Sequence, residues 1–488
     1  MNHQANPHWK MTLEELVAGS EGKVVSQLER SFTGVGTDTR SDLGGKIFVA
    51  LKGDNFDAHE FLPQAVAAGA TALLVHRIPE NARDLVGKVT IVQVADSLKG
   101  FQLLGNFWRH KMRARIVGIT GTNGKTTTKE FAAVLVGSKY RVQYNKGSLN
   151  NHWGVPMALL SIDSSHEVAI VEMGMNHLGE LADLNAIAEP DVVVCTMVGR
   201  GHLEGLGTIE GVAKAKSEIY EYAPKKAMRI FNLENEYTRK MFQEMSPKLA
   251  SAQVMTFASA GLSPGETAWP RLDAAFEIVE VLPEALKIRG EIQGVKGETT
   301  IPVFGKQNAN NLMVASCCAL ACGLTPAEVW AALPLCKTAW GRNQWVPLQS
   351  GAKVLFDGYN ANPESMKAAL ENFASLKPPG RKIAVLGEML ELGAHAEKEH
   401  REMGEKAAHA GFDAISFFGP HAKDFEVGLR NAGFQKTLFI SNTYEQSLAP
   451  KTVPVLDGND IVLIKGSRGM KLEKVLADLK PVAFEEKK

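Results

Sequence analysis

Residues 115–131 read RIVGITGTNGKTTTKEF: an apolar run, a glycine-bearing turn, and a helical stretch that opens on Lys125 and Thr126. Strand, glycine turn and helix in that order make a phosphate-binding loop. Gly121 and Gly124 let the backbone approach a polyphosphate, and the N–H groups at the start of the helix point at its oxygens. Lys125 neutralises the outer phosphates, and the Thr126 hydroxyl can ligate Mg2+. The loop departs from the GxxxxGK[ST] spacing, because position 119 is Ile and the nearest upstream glycine, Gly118, comes one residue early. It is the GTxGKT variant. Its contact residues run Gly121, Thr122, Asn123, Gly124, Lys125, Thr126, Thr127, and its implied ligand is a nucleoside triphosphate.

Beyond the loop the alternation continues. Apolar runs RVQYN, HEVAIVEMG and DVVVCTMVG are separated by helical segments, the pattern of a parallel sheet with helices on both faces. A nucleotide then belongs at the carboxyl ends of those strands. From about 251 to 304 short alternating runs with Gly and Pro predict an antiparallel flank, and helices at 307–322 and 325–333 close the domain. Upstream, KIFVAL, TALLV and VTIVQV are β-like and interleave with the helical stretch EFLPQAVAAGA; downstream, KVLFDGYN, KIAVLG, AISFFG, TLFISN and DIVLIKG make a second doubly wound series, with a closing helix after Lys471. The expected fold is α/β in three domains: a small α/β N-terminal domain (1–112), a central P-loop parallel-sheet ATPase-like domain (113–334), and a doubly wound, Rossmann-like C-terminal domain (335–488).

Composition limits the function. The chain has 488 residues, with 54 Lys plus Arg against 54 Asp plus Glu, so neither a polyanion-binding surface nor an acidic tail is signalled, and EEKK at the C-terminus reads as a solvated end. Nucleic acid is not an expected partner. The N-terminal run MNHQANPHWK lacks the apolar centre of a signal peptide, and LMVASCCALACGL at 312–324 is too short to span a bilayer. A cytoplasmic protein without membrane insertion is expected, which the odd number of cysteines, five, also suits. Cys317, Cys318 and Cys322 lie on an apolar helical pattern without nearby histidines, so core packing is expected of them rather than metal binding.

Three further residues carry chemistry. Glu172 follows the apolar run 168–171, so its carboxylate projects from a strand's carboxyl edge and can ligate Mg2+. His202 holds the equivalent place after the next strand, in VVVCTMVGRGHLEGLG, where imidazole can bind metal or phosphate, although a lone loop histidine is usually inert. In TIEGVAKAKSEIYEY the apolar positions 209, 212, 213, 219 and 220 mark one stripe, and Lys216 falls on it. An inward lysine is paired, neutral or chemically modified. Reaction with CO2 would turn it into an anionic carbamate able to hold Mg2+ beside Glu172, but spacing alone does not favour that over an ion pair.

Taken together, GTNGKTTTKE, VEMGMNHLGEL and the AKAKSEIYE helix resemble the ATP, Mg2+ and carbamylated-lysine motifs of the Mur ligase family, the ATP-dependent enzymes of peptidoglycan precursor synthesis, and the resemblance extends over essentially the whole chain. It implies that Lys216 is carbamylated. It also implies that Asn308 and Asn311 of GKQNANNLMVAS face the adenine, with helix capping as the alternative, that Arg342 of AWGRNQ reaches the ATP phosphates, and that Asp357 of LFDGYNANPESM lies near the ribose. Gln307 stands where a His is common, and Gly358 where an acidic residue often follows the aspartate. Within the family, YNANPESM (359–366), GEMLELG (387–393) with His400, IKGSRGMKLEKV (464–475) and SLNNHWGVPMALL (148–160) point to dipeptide addition. The run TDTRSDLGGKIFVALKGDNFDAHEF resembles the end that receives a UDP-sugar, and the DNPR motif of the diaminopimelate-adding relative is absent.

The implied substrates are ATP, UDP-N-acetylmuramoyl-tripeptide and D-alanyl-D-alanine, joined through an acyl phosphate. Lys125, His202 and carbamylated Lys216 would be catalytic, and Thr126, Glu172, His202 and Lys216 would hold Mg2+. Arg342, from another domain, would complete the site on closure. Candidate substrate contacts are Asp38, Thr39, Arg40, Lys52 and His59 at the UDP end, Asn150 and Asn151 near the centre, and Asn360, Asn362, Lys465 and Ser467 for the dipeptide. The alternatives are a tripeptide-forming Mur ligase, a folylpolyglutamate synthase-like ligase, and a regulatory nucleotide switch. NKGS at 145–148 does not supply the NKxD aspartate of a GTP switch. A monomer is expected, and whether the tripeptide ends in diaminopimelate or lysine stays open.

Overall fold

The computed structural model describes residues 8–53, 56–145, 147, 149–261 and 271–483. Residues 1–7 of the N-terminal run, Ser148 of the SLNNHWGVPMALL stretch and the EEKK end lie outside them. The chain divides into two compact units, one of 1–120, 136–194 and 217–229, the other of 121–135, 195–216 and 230–488.

The first unit contains a five-stranded sheet in the order Lys23–Ser26, Thr90–Gln93, Ala72–Val75, Ile47–Val49, Val35–Gly36. All but the first strand run parallel. Parallel pairing requires a crossover, which Ala58–Phe61 and the helix Leu62–Ala67 supply between Ile47–Val49 and Ala72–Val75. Strands covered on both faces read as continuous apolar runs, and Ala72, Leu73, Leu74 and Val75 are all fully buried.

Two helices of this unit were not anticipated. Leu13–Ser20 begins at Thr12, whose hydroxyl accepts from Glu15 N–H while the Glu15 carboxylate accepts from Thr12 N–H. Ser97–Lys111 is capped by Asp96 and buries Phe101, Leu104 and Trp108. Its outer groups bond elsewhere in the unit: Gln102 donates to the His152 carbonyl, Trp108 to that of Ile162, and Arg109 to that of Ala188. The same unit carries the strands Val142–Tyr144, Val168–Glu172 and Arg115–Thr120, in that order and parallel.

In the second unit, Ala274–Val281, Leu286–Ile292 and Val295–Ile301 form the expected antiparallel meander. Helix Gln307–Ala321 follows, with Cys317 and Cys318 wholly buried and their thiols pushed up by desolvation, as core residues should be. The six-stranded sheet runs Gln344–Pro347, Lys353–Asp357, Ile461–Lys465, Lys382–Gly387, Ala414–Phe418, Thr437–Ser441. Only the first, which the sequence did not reveal, is antiparallel. The last strand in the chain, Ile461–Lys465, inserts between Lys353–Asp357 and Lys382–Gly387, and Val354, Phe356, Ile383, Val385, Val462 and Ile464 pack in the core around it. This order brings Asp357, Lys465 and Gly387 to one carboxyl edge. Among the described residues no helix is long and apolar enough to cross a membrane.

Candidate active site

The phosphate loop lies at the start of helix Lys125–Gly137. Gly121 and Gly124 have φ of 147° and 84°, in the region that favours glycine. Space demands the same residue: a Cβ on Gly121 would lie 1.9 Å from Thr196 Oγ1, and one on Gly124 2.4 Å from Asn311 Oδ1. Lys125 Nζ donates to the Gly121 carbonyl at 2.7 Å, so the amine folds over the loop it serves. Thr122, Thr126 and Thr127 are buried.

Around this loop the second unit gathers residues far apart in sequence. A cleft of about 130 Å³ is lined by Asn123, Gly124 and Thr127 together with Asn308, Asn311, Arg342, Asp357 and Lys465. Asn311 Nδ2 donates to Asn308 Oδ1 at 3.1 Å, and Asn308 Nδ2 to the Phe304 carbonyl at 2.7 Å. Neither asparagine caps the helix, since Lys306 holds that position without a side-chain bond. Arg342 sits in a tight turn between Gly341 (φ 68°) and Asn343 (φ 48°). It stacks on Tyr359 with its guanidinium carbon 4.2 Å from the ring centroid and approaches Thr126 Oγ1 at 3.4 Å. Its Nε is buried without a hydrogen-bond partner among the described residues. Asp357 Oδ1 accepts from Asn343 N–H, and Oδ2 lies 2.5 Å from the buried Lys465 amine. At Gly358, where an acidic residue often stands in the family, a Cβ would fall 2.6 Å from the Phe356 ring, so a side chain there would need the ring to shift. Gln307 accepts from Asn372 and lines the same cleft.

Lys216 is wholly buried on its helix, as the stripe predicted. Its Nζ has no hydrogen-bond partner among the described residues, so the expected alternative of an ion pair is not realised. Desolvation, with the Lys125 cation adding to it, lowers the amine to about 7. His202 adopts left-handed backbone (φ 59°), and its Nδ1 lies 2.9 Å from Glu391 Oε2. Burial lowers the His202 pKa, the Glu391 carboxylate opposes that, and Lys125 and Lys216 reinforce it. Glu172 ends the strand Val168–Glu172 in the first unit and accepts from Asn150 Nδ2 at 2.8 Å; Asn151 caps the turn at Gly154.

The candidate substrate contacts are engaged within the chain as follows. His59 faces the core, fully buried, with Nδ1 2.7 Å from Asp57 and Nε2 accepting from His76 N–H, so both ring nitrogens are engaged within the chain. Asp38 and Arg40 form a bidentate pair with each other on the surface, next to Thr39, and Lys52 bridges to Asp57 through the backbone. Asn362 caps helix Pro363–Ser375 and pairs with Asn123 of the phosphate loop in both directions, at 3.1 and 2.8 Å. Asn362 thereby touches the phosphate loop, and Lys465 lines the cleft beside it. The Asn360 carbonyl accepts from Lys465, and Ser467 Oγ donates to the Ala361 carbonyl.

The sequence reading also missed Tyr359, Asn343, Arg200 and Glu391. For Tyr359 the aromatic in LFDGYN was the available signal. Glu388, His400 and His421 bring three donor atoms within 4.8 Å of one another. They form a hydrogen-bonded network: His400 Nε2 accepts from Met389 N–H, Nδ1 donates to the Ala396 carbonyl, and His421 Nδ1 donates to Glu388.

A phosphate loop facing a second α/β sheet that contributes an arginine, an aspartate and a lysine to the same cleft defines a nucleotide-dependent enzyme. Residues 119–319 match the Mur ligase middle domain and 341–468 the Mur ligase, glutamate ligase domain. The UDP-N-acetylmuramoyl-tripeptide–D-alanyl-D-alanine ligase of Bacillus subtilis is 32% identical, with 91% of this chain and 93% of the relative covered. That of Escherichia coli is 32% identical over the same shares. The chain belongs to the Mur ligase family. Among solved structures, a MurF of Acinetobacter baumannii superposes with a TM-score of 0.84 at 28% identity, covering 97% of this chain and 99% of that one. The MurF ligase of Thermotoga maritima in complex with ADP gives 0.74 at 25% identity, with 91% and 96% covered.

Proposed function

We propose that this protein is an ATP-dependent ligase that joins D-alanyl-D-alanine to UDP-N-acetylmuramoyl-tripeptide and releases ADP and phosphate. The observation that carries the reading is the convergence of the phosphate loop, Asn308, Asn311, Arg342 and Asp357 on one cleft, in a chain whose relatives bear that ligase name over nine-tenths of their length. The tripeptide's terminal carboxylate oxygen takes the γ-phosphoryl group, and ADP leaves. The dipeptide amine, having lost a proton, then attacks the acyl carbon and expels phosphate.

Lys125 and Arg342 balance negative charge as the phosphoryl group moves. Asn308 and Asn311 orient the adenine side and Asp357 the ribose side, with Lys465 fixing the aspartate. The buried amine of Lys216, without a hydrogen-bond partner among the described residues, fits a carbamate, because near pKa 7 a substantial fraction is neutral at physiological pH and nucleophilic toward CO2. Thr126, His202 and the Lys216 carbamate would hold Mg2+, and Glu172 remains the acidic ligand that the sequence pattern implies. Bound Mg2+ would neutralise phosphoryl oxygens and the substrate carboxylate. On this reading residues 1–112 receive the UDP end, 113–334 bind ATP, 335–488 receive the dipeptide, and the protein works as a cytoplasmic monomer. Phosphate release measured with ATP, either UDP-muramoyl-tripeptide and D-alanyl-D-alanine tests it. Release should require all three, and turnover with glutamate or diaminopimelate in place of the dipeptide would refute the choice of acceptor. Comparing the two tripeptides identifies the third residue.

A further inference from the structure

The loop from Gly199 to Gly207 is bonded at both of its sides. Toward the phosphate loop, Gly199 N–H donates to Thr122 Oγ1 at 3.0 Å and Thr122 N–H donates to the Met197 carbonyl at 2.9 Å. Toward the C-terminal helices, Arg200 Nε lies 2.9 Å from Glu364 Oε1, and its NH1 lies 2.9 Å from Glu399 Oε1 and 3.5 Å from Glu402 Oε2. Glu364 is in the first turn of helix Pro363–Ser375, whereas Glu399 and Glu402 are on helix Ala396–Ala408. Glu204 N–H donates to the Glu391 carbonyl, and His395 Nε2 meets the Gly207 carbonyl at 3.2 Å. His202 and Glu391, which face each other across this seam, both hold left-handed backbone without being glycine, a conformation that persists only where the surroundings impose it.

We propose that Arg200 is a positioning residue for the ligation: its guanidinium clamps loop 199–207 onto helices 363–375 and 396–408, so that His202 is set at the phosphate loop only while those helices are docked. The assignment of His202 rests on the ligase reading given above; the clamp itself does not. Two edges of a planar fork reach carboxylates on two different helices, which a lysine's single ammonium cannot do in the same geometry. Glu399 is buried, and its desolvation, which disfavours the charged form, is opposed by the Arg200 cation and by Lys406. The chain thereby links a nucleotide contact, Thr122, to the acceptor-side helices through nine residues.

The test replaces Arg200 by Ala and by Lys in the full chain, and combines Arg200→Ala with Glu399→Gln, which removes the buried charge that the first substitution would strand. Amide hydrogen exchange over 199–207 is read together with phosphate release. In Arg200→Ala, loop exchange should rise about tenfold or more while helix 125–137 keeps its protection. Its kcat should fall about tenfold to a hundredfold, with the KM for ATP within about twofold. Arg200→Lys should recover only part of the loss, and the double variant should keep the loop exchange raised although its Tm returns toward that of the parent. Unchanged exchange and unchanged kcat in Arg200→Ala would overturn the proposal. So would a fall of kcat, ATP binding and Tm together in both the single and the double variant, since that is general destabilisation. If the parent protein releases no phosphate with these substrates, the ligase reading fails, and loop exchange, which needs no substrate, still decides the clamp.

Discussion

Lys216 and Lys465 are both buried to within 1% of complete enclosure, yet the protein treats them oppositely. Lys465 has Asp357 at 2.5 Å and the Asn360 carbonyl at 3.1 Å. Lys216 has no hydrogen-bond partner among the described residues, and its amine is lowered to about 7. An ammonium taken from water needs a counter-charge; without one it gives up its proton. Burial lowers the first lysine's pKa too, but Asp357 opposes that, and the pair fixes the aspartate at the edge of a sheet. The second is an amine poised between its charged and neutral forms near neutral pH. Burial alone does not separate these roles; the inventory of neighbouring oxygens does.

The comparison breaks most sharply in activity. Lys216→Ala should lower turnover by about a thousandfold, roughly 4 kcal/mol of transition-state stabilisation, with partial return when formate or acetate is added to occupy the carbamate's place. Lys465→Ala should show no such return, and rescue of both variants or of neither would remove the distinction. Next in size is stability. Lys465→Met, which strands Asp357, should cost about 3–5 kcal/mol in urea unfolding, whereas Lys465→Met with Asp357→Leu should recover most of it.

A third measurement uses pH on the protein free of nucleotide and metal. The folded Lys216 amine titrates near 7 and the unfolded one near 10.5, so between those values the unfolded chain binds more protons and stability rises with pH. The contribution is at most about 1.4 kcal/mol per pH unit, is lost as pH falls toward 7, and should vanish in Lys216→Met. The smallest effect concerns Lys125, whose charge helps depress the Lys216 amine. Lys125→Met should move the Lys216 midpoint upward, followed by NMR of isotope-labelled lysine.

What the sequence made legible follows from range. The phosphate loop, the meander after 271 and the inward face of Lys216 depend on spacing within one turn or one strand, and all three were read in advance. The caps at Thr12 and Asp96 were equally local but lay outside the stretches that carried motifs, so helices Leu13–Ser20 and Ser97–Lys111 went unnoticed. For His59, a histidine in a charged loop gives no hint that Asp57 and His76 N–H will engage both ring nitrogens. Asn362 carried two messages: its capping role before Pro363 was readable, but its amide pair with Asn123 was not. The crowding of Gly358 by the Phe356 ring is a tertiary contact that the sequence does not show.

The Asn123–Asn362 pair joins residues 239 positions apart. Synthesis at about 5–20 residues per second delivers the second partner roughly 12 to 48 s after the first. During that interval a nascent chain exposes a finished phosphate-loop sequence without the far wall of its cleft. Nucleotide capture is thus a property of the nearly completed polypeptide, and a ribosome-bound chain stalled before residue 357 should bind ATP far more weakly than one released after Lys465.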